Sequence, residues 1–361
     1  MRSGERWKLV SDIGGTNVRF GRADEDGSVY ARRSYKVSEF PGFNDAIARY
    51  LPETGGFDGC IGAVIGAAGP VFQNCVKLTN ANWTITSSEV AALIDRPVML
   101  VNDLEAAARV IPQLRGAELQ FIGPARQLTA KPERVLAANI GTGFGAATLI
   151  RSGAGWVSCP SEAGHISLDR RLSDGTVLPA AFKTIETVLS GSGLSNLYDV
   201  LWSDGAAPTS TRLSSAEILE QIQVESGRPS SRGRFSGRGD PEQNHRLNRG
   251  LLRFARNDDD SAAADEALAS ADNERANLAV RIFSDVFAQA LGNLVLAVAA
   301  WDGVFVFGSV AREWARIADH SRFRSIFEDK GAMQQHMARV PIAIVTAEDV
   351  TLAGLAAIPV A

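Results

Sequence analysis

Asp12, Gly14, Gly15, Thr16 and Asn17 stand together in LVSDIGGTNVR (9–19), an apolar run that ends in one carboxylate, two glycines and two short polar side chains. Glycines let backbone N–H groups approach an anion without a Cβ in the way. Thr16 and Asn17 add side-chain donors, and Asp12 at the mouth of the turn is suited to a hydrated Mg²⁺. A phosphate-binding hairpin is the chemical reading, and an ordinary Gly-Gly hairpin is its alternative.

Four more places carry chemistry. Asn102-Asp103 falls where the apolar run PVMLV gives way to LEAAARV, the kind of strand end at which α/β sheets bind ligands. Asp103 there is either a helix N-cap or a base that takes a hydroxyl proton as its oxygen attacks a phosphoryl group. Glu162 and His165 sit three apart in PSEAGH, spaced to hydrogen-bond neighbouring hydroxyls of a sugar or to pair with each other. Glu186 precedes the loop Ser190-Gly191-Ser192-Gly193 and is by itself an ordinary helix residue. Gly303-Val304-Phe305-Val306-Phe307 closes on Gly308-Ser309, small enough to admit a flat ring or a phosphate, or simply a tight βα turn.

The elements that must hold these residues alternate, which argues for an α/β protein. Strands are expected near 8–13, 17–24 and 28–36, a helix over 41–51, and strands near 59–66 and 71–79. Thr86 with Glu89 three residues on reads as a capping box opening a helix. A strand at 97–102 leads into a helix from Asp103 that Pro112 should end. RVLAANI (134–140) then runs into Gly141-Thr142-Gly143-Phe144-Gly145 and the extended AATLI, a second strand–glycine-turn–strand unit. At 361 residues the chain suggests two domains. We place a small one over 1–112 with 346–361 and a large one over 113–345.

Composition narrows the classes. The chain is 45% apolar and 22% charged, ordinary for a globular protein, and a net charge of −4 gives no general pull toward nucleic acid or an anionic membrane. The N-terminal residues lack the apolar core of a signal peptide, and nothing reaches the roughly 18 unbroken apolar residues of a spanning helix. The longest candidate, Val280 to Trp301, is interrupted by Arg281, Asp285, Gln289 and Asn293. Cys60, Cys75 and Cys159 are odd in number and far apart, so reduced core thiols in a cytoplasmic protein are expected. One stretch departs from the rest. Arg228 to Arg256 holds eight arginines against Asp240 and Glu242; it carries +6 and leaves −10 on the remainder. An arginine-rich surface insertion at about 226–260 is the expectation, with a nucleic-acid-binding arm disfavoured for want of interleaved aromatics.

Taken in order, DIGGTNVRF, TNANW (79–83), NDLEAAA, GTGFG, SEAGH, ETVLSGSGLSNLY and FEDKG (327–331) resemble the bacterial, hexokinase-like glucokinase family. The resemblance implies a two-domain, actin-like and ribonuclease-H-like ATPase fold with an interdomain cleft. It also implies ATP-dependent phosphorylation of glucose, with Mg²⁺, by a cytoplasmic homodimer. It carries Asp12, Gly14, Gly15, Thr16 and Asn17 onto the first phosphate element and Gly141, Thr142 and Gly143 onto the second. Gly308 and Ser309 fall on the adenosine element. Sugar binding falls on Asn102, Asp103, Glu162, His165 and Glu186, with Asp103 as the base at the 6-hydroxyl. Ser309 replaces a glycine usual in that family, which implies crowding at the nucleotide, and Ser161 and Ala163 replace glycines around Glu162. A kinase for another hexose or an amino sugar is the neighbouring alternative. A non-catalytic sugar sensor is the distant one, though it would need no base at Asp103.

Overall fold

Two sheets of matching connectivity organise the chain, seen in a computed structural model that describes residues 6–78, 82–124, 128–153, 155–172, 174–201, 213–226 and 261–360. The first sheet begins as a meander of β1 (Trp7–Ile13), β2 (Asn17–Ala23) and β3 (Val29–Lys36). After α1 (Phe43–Glu53), β4 (Cys60–Ala67) joins β1 in parallel. A small hairpin of β5 (Cys75–Lys77) and β6 (Thr84–Thr86) follows, then α2 (Ser87–Ile94) and β7 (Val98–Asn102). The order is β3-β2-β1-β4-β7.

The chain crosses to the second sheet through α3 (Asp103–Ala108) and β8 (Leu119–Phe121). There β9 (Arg134–Ile140), β10 (Phe144–Ser152) and β11 (Gly155–Ser161) repeat the antiparallel meander. The short α4 (Ile185–Val188), α5 (Gly191–Val200), α6 (Ser215–Ser226) and the long α7 (Ser261–Val298) come next. β12 (Val304–Phe307) then pairs in parallel with β9. It is followed by α8 (Ser309–Ile317), α9 (His320–Glu328), α10 (Gln334–Met337), β13 (Ile342–Val345) and α11 (Val350–Ala356). The order is β11-β10-β9-β12-β13-β8, so each sheet is a three-strand meander extended by parallel strands beside its first strand, with β8 added antiparallel at the edge of the second.

Strand alternation gives each sheet two buried faces. In β9, Leu136, Ala138 and Ile140 enter a core with α7 and α8, while Val135 and Ala137 meet Leu104 and Ala107 of α3. On the first sheet, Phe20, Tyr50 and Trp83 share one cluster, and Val10, Val64 and Val101 meet Ala106 of α3 and Leu352 and Leu355 of α11. Helix α3 therefore lies between the sheets, held on both sides.

The hairpins, the Thr86 cap and the strand at 134–140 form where the sequence puts them. Three details differ. The strand expected over 71–79 is only Cys75–Lys77, because Gln73 and Asn74 both adopt left-handed φ (50° and 57°) and fold the chain back between Phe72 and Cys75. Helix α3 stops at Ala108, before Pro112. The amides of Arg109 and Val110 bond three residues back, to Ala106 and Ala107, and this tighter winding unwinds the α-helix. The thiols are not all core residues: Cys60 is buried, Cys75 partly so and Cys159 exposed on the edge strand β11. Ser270–Val298 is long and apolar enough to span a membrane by length and composition, but its apolar window is mostly buried inside the protein. From residue 227 the arginine-rich segment lies outside the described residues up to 260, as do 79–81 of TNANW.

Candidate active site

Asn102 caps α3. Its Oδ1 accepts the N–H groups of Leu104 (3.0 Å) and Glu105 (3.2 Å), and its Nδ2 donates to the Gly69 carbonyl at 3.1 Å. Capping thus falls to Asn102 and leaves Asp103, the first helical residue, with one oxygen on the Leu104 N–H at 2.8 Å. Burial, reinforced by the charge of Asp12, pushes the Asp103 carboxyl up to about 7.

Asp12 is only 7% exposed at the end of β1. Antiparallel register places it opposite Arg19 on β2, whose Nη2 lies 3.4 Å from its Oδ2. Burial raises the Asp12 carboxyl, Arg19 opposes that, and Asp349 adds to it. The same guanidinium reaches Asp349 through Nη1 at 3.4 Å, and Arg32 holds the other Asp349 oxygen at 3.0 Å. Asp349 sits in left-handed backbone (φ 52°) at the N-cap of α11.

A cleft of about 460 Å³ is lined by Asp12, Gly14, Asp103, Asn139, Gly308 and Ser309. Gly308 has φ 104°, and a Cβ there would run into the Ile140 carbonyl and the Asn139 side chain. No other residue type fits, because both the backbone angle and the contact forbid it. Ser309, one residue on, is exposed and lines the same cleft.

The Gly308 contact ties the end of β9, and so the turn that follows it, to the start of α8. Gly141, Thr142 and Gly143 form that turn, closed by the Gly141 N–H on the Gly143 carbonyl at 3.1 Å, just beyond the cleft wall at Asn139. Gly191, at the start of α5, donates to the Gly141 carbonyl at 2.8 Å. Glu186 supports the turn from outside, its Oε2 accepting the Phe144 N–H at 2.9 Å. Gly164 packs against the Phe144 carbonyl and the Glu186 Cβ, which brings the SEAGH turn alongside. Glu162 and His165 are side by side at 4.0 Å with side chains 63% and 67% exposed, off the lining of the 460 Å³ cleft. In the first turn Gly14 donates to the Asn17 carbonyl at 2.9 Å. Gly15 and Thr16 face instead a neighbouring pocket of about 370 Å³ bounded by Phe40 and Trp83, and Asn17 is exposed.

Residues 9–360 match the model of the family described as glucokinase. The chain belongs to the glucokinase family. The glucokinase of Nitrobacter hamburgensis is 27% identical to it over 360 residues, which cover 98% of this chain and 97% of that one. A glucokinase structure from an Antarctic psychrotroph matches with a TM-score of 0.67 at 24% identity, covering 97% of each chain. One from Balamuthia mandrillaris, in complex with glucose, matches at 0.69 with 16% identity, covering 98% of this chain and 94% of that one. Those structural likenesses carry the fold, the actin-like α/β ATPase architecture seen in the two sheets. Family membership makes the chain a hexose kinase that phosphorylates glucose with ATP.

Within this glucokinase-family cleft stand residues that sequence reasoning did not single out: Arg19, Asn139, Arg312, Glu348, Asp349 and Thr351. For Arg19 a signal existed. A tight turn over Gly14–Thr16 forces Asp12 and Arg19 into register across the hairpin. The others come from strand ends and helix starts far apart in the chain, which only packing brings together.

Proposed function

We propose that the cleft between the two sheets transfers the γ-phosphoryl of ATP to the 6-hydroxyl of glucose, with Asp103 as general base. One observation carries the reading: the carboxylates of Asp12 and Asp103 and the glycine at 308 line the same cleft. The 6-oxygen forms a bond to the γ-phosphorus as the bond to the β-phosphate oxygen breaks. The hydroxyl proton passes to the Asp103 carboxylate, and ADP leaves. A carboxyl pushed up to about 7 is well matched to accept that proton near neutral pH.

Glycine turns at 14–15 and 141–143 would hold the phosphates, with Thr16, Asn17 and Thr142 as side-chain donors. Gly308 and Ser309 would admit the adenosine, and Asn102, Asp103, Glu162, His165 and Glu186 would hold the sugar. The residues suit Mg²⁺ as well. A nucleotide-bound Mg²⁺ takes one or two carboxylates, with phosphates and water filling the rest. Asp12 meets that need, and among the described residues no larger acidic or histidine cluster forms an all-protein cage. Bound there, the ion would neutralise charge on the transferring phosphate. The lobes proposed to close over the substrates are 1–112 with 346–361, and 113–345. A cytoplasmic homodimer is proposed from the family resemblance.

The test is a coupled assay of ATP-dependent phosphorylation across a panel of hexoses. Glucose should turn over best. Asp103→Ala should keep measurable glucose binding and lose on the order of 10²–10⁴-fold in kcat. Near-normal turnover in that variant would falsify the base assignment, and turnover confined to another sugar would redirect the substrate.

A further inference from the structure

We propose that Arg312 is a nucleotide-binding residue whose guanidinium takes phosphate oxygens of ATP and ADP. The inference rests on reading the cleft as the nucleotide site, and goes beyond it by naming a cation that no glycine turn or family motif quoted above contains.

Arg312 lies one turn into α8, its own N–H donating to the Gly308 carbonyl at 3.2 Å. It is half-buried on the cleft wall. Helical side chains lean back toward the N-terminus, so residue 312 covers the turn that begins at Gly308-Ser309. Its side chain has no hydrogen-bond or ion-pair partner among the described residues, and the cations around it do. Arg19, the other arginine on the wall, is divided between Asp12 and Asp349. Arg316, one turn further along α8, holds Glu313 through both carboxylate oxygens, at 2.9 and 2.7 Å. The acid next to Arg312 in sequence is therefore already taken.

Charge on the wall points the same way. Among the described residues, Asp12, Asp103, Glu348 and Asp349 supply carboxylates and only Arg19 and Arg312 supply cations. A nucleotide tail entering that surroundings needs a counter-charge that is not already neutralised. A half-buried guanidinium with no partner is a strong, directional donor to phosphate, and gains most where water is partly excluded.

The experiment is calorimetric titration of the full chain with MgADP and, separately, with adenosine. It uses the wild type, Arg312→Ala, Arg312→Gln, Arg312→Lys and Glu348→Gln, with thermal melts of each. We expect Arg312→Ala and Arg312→Gln to weaken MgADP on the order of 10- to 100-fold while adenosine affinity and the glucose KM stay within twofold. Arg312→Lys should recover part of the loss, a point charge replacing a fork. The Gln variant serves if the Ala variant does not fold. MgADP affinity within twofold of wild type in a folded Arg312 variant overturns the proposal and leaves the cleft reading intact. Equal losses for MgADP and adenosine overturn it too, since the residue would then only shape the pocket. So does the same MgADP loss in Glu348→Gln, which would make Arg312 a partner of that acid. A wild type that binds no MgADP removes both the cleft reading and this one.

Discussion

Glu186 accepts the Phe144 N–H at 2.9 Å, so a carboxylate from α4 holds the second glycine turn from outside the strands that form it. A glutamine can keep that bond through its amide oxygen but not the charge. Glu186→Gln should melt within a few tenths of a kcal/mol of wild type, with a glucose KM raised several-fold. Glu186→Ala should lose about 1–2 kcal/mol more by orphaning the amide. Chemical denaturation with steady-state kinetics separates the two effects; equal melts for both variants would remove the turn-holding role.

Proton uptake by Asp103 should set the pH profile. Its carboxyl must be ionised to act as base, so kcat/KM for glucose should rise through about pH 7 and level off above it. Stability moves the other way. A carboxyl raised from 3.8 to about 7 on folding binds more protons in the native state, so this group's contribution falls as pH climbs between those values. Asp103→Asn should therefore be inactive yet melt above wild type at pH 8, with the gap shrinking by pH 5. A wild-type profile flat from pH 6 to 8 would contradict the assignment.

Glycine is indispensable at 308 and not at 309. Gly308→Ala adds strain at φ 104° and a collision with the Ile140 carbonyl, and should lose nucleotide affinity with at least about 2 kcal/mol of stability. Ser309→Gly restores the residue usual in the family and removes only an exposed hydroxymethyl, so its ATP KM should change by less than about threefold. Paired ATP titrations of the two variants decide this.

Activity should also fail from a distance. Gly354 of α11 packs so closely on α3 that a Cβ would meet the Ala106 carbonyl, three residues from Asp103. Gly354→Ala should cost about 1–3 kcal/mol and depress kcat by displacing α3, leaving the order of hexose preference unchanged. Unaltered kcat in a destabilised variant would show that α3 keeps its place.

Thiol labelling reads the burial pattern directly. Cys159 should react at once in the native protein, Cys75 slowly, and Cys60 only on unfolding.

Short-range chemistry made much of this molecule legible in its residues. Apolar runs broken by Gly14-Gly15 and by Gly141 to Gly145 specify two hairpins, because turn residues and period-2 burial act over a few positions. Thr86 with Glu89 marks a helix start for the same reason, and Asp103 at a strand end marks the cleft. Where a local preference was misread, the cause was local too: Gln73 and Asn74 enter left-handed backbone with no glycine to announce it.

Only the tertiary structure carried Arg19 to Asp349, turned the Asn102 amide onto the Gly69 carbonyl, and put Arg312 and Glu348 on the lining of one cleft. These relations join residues from tens to more than three hundred positions apart. They depend on how two sheets and α3 pack, a long-range free-energy balance that no window of sequence contains. The chain by itself determined which groups could do the chemistry, and packing decided which of them face one another.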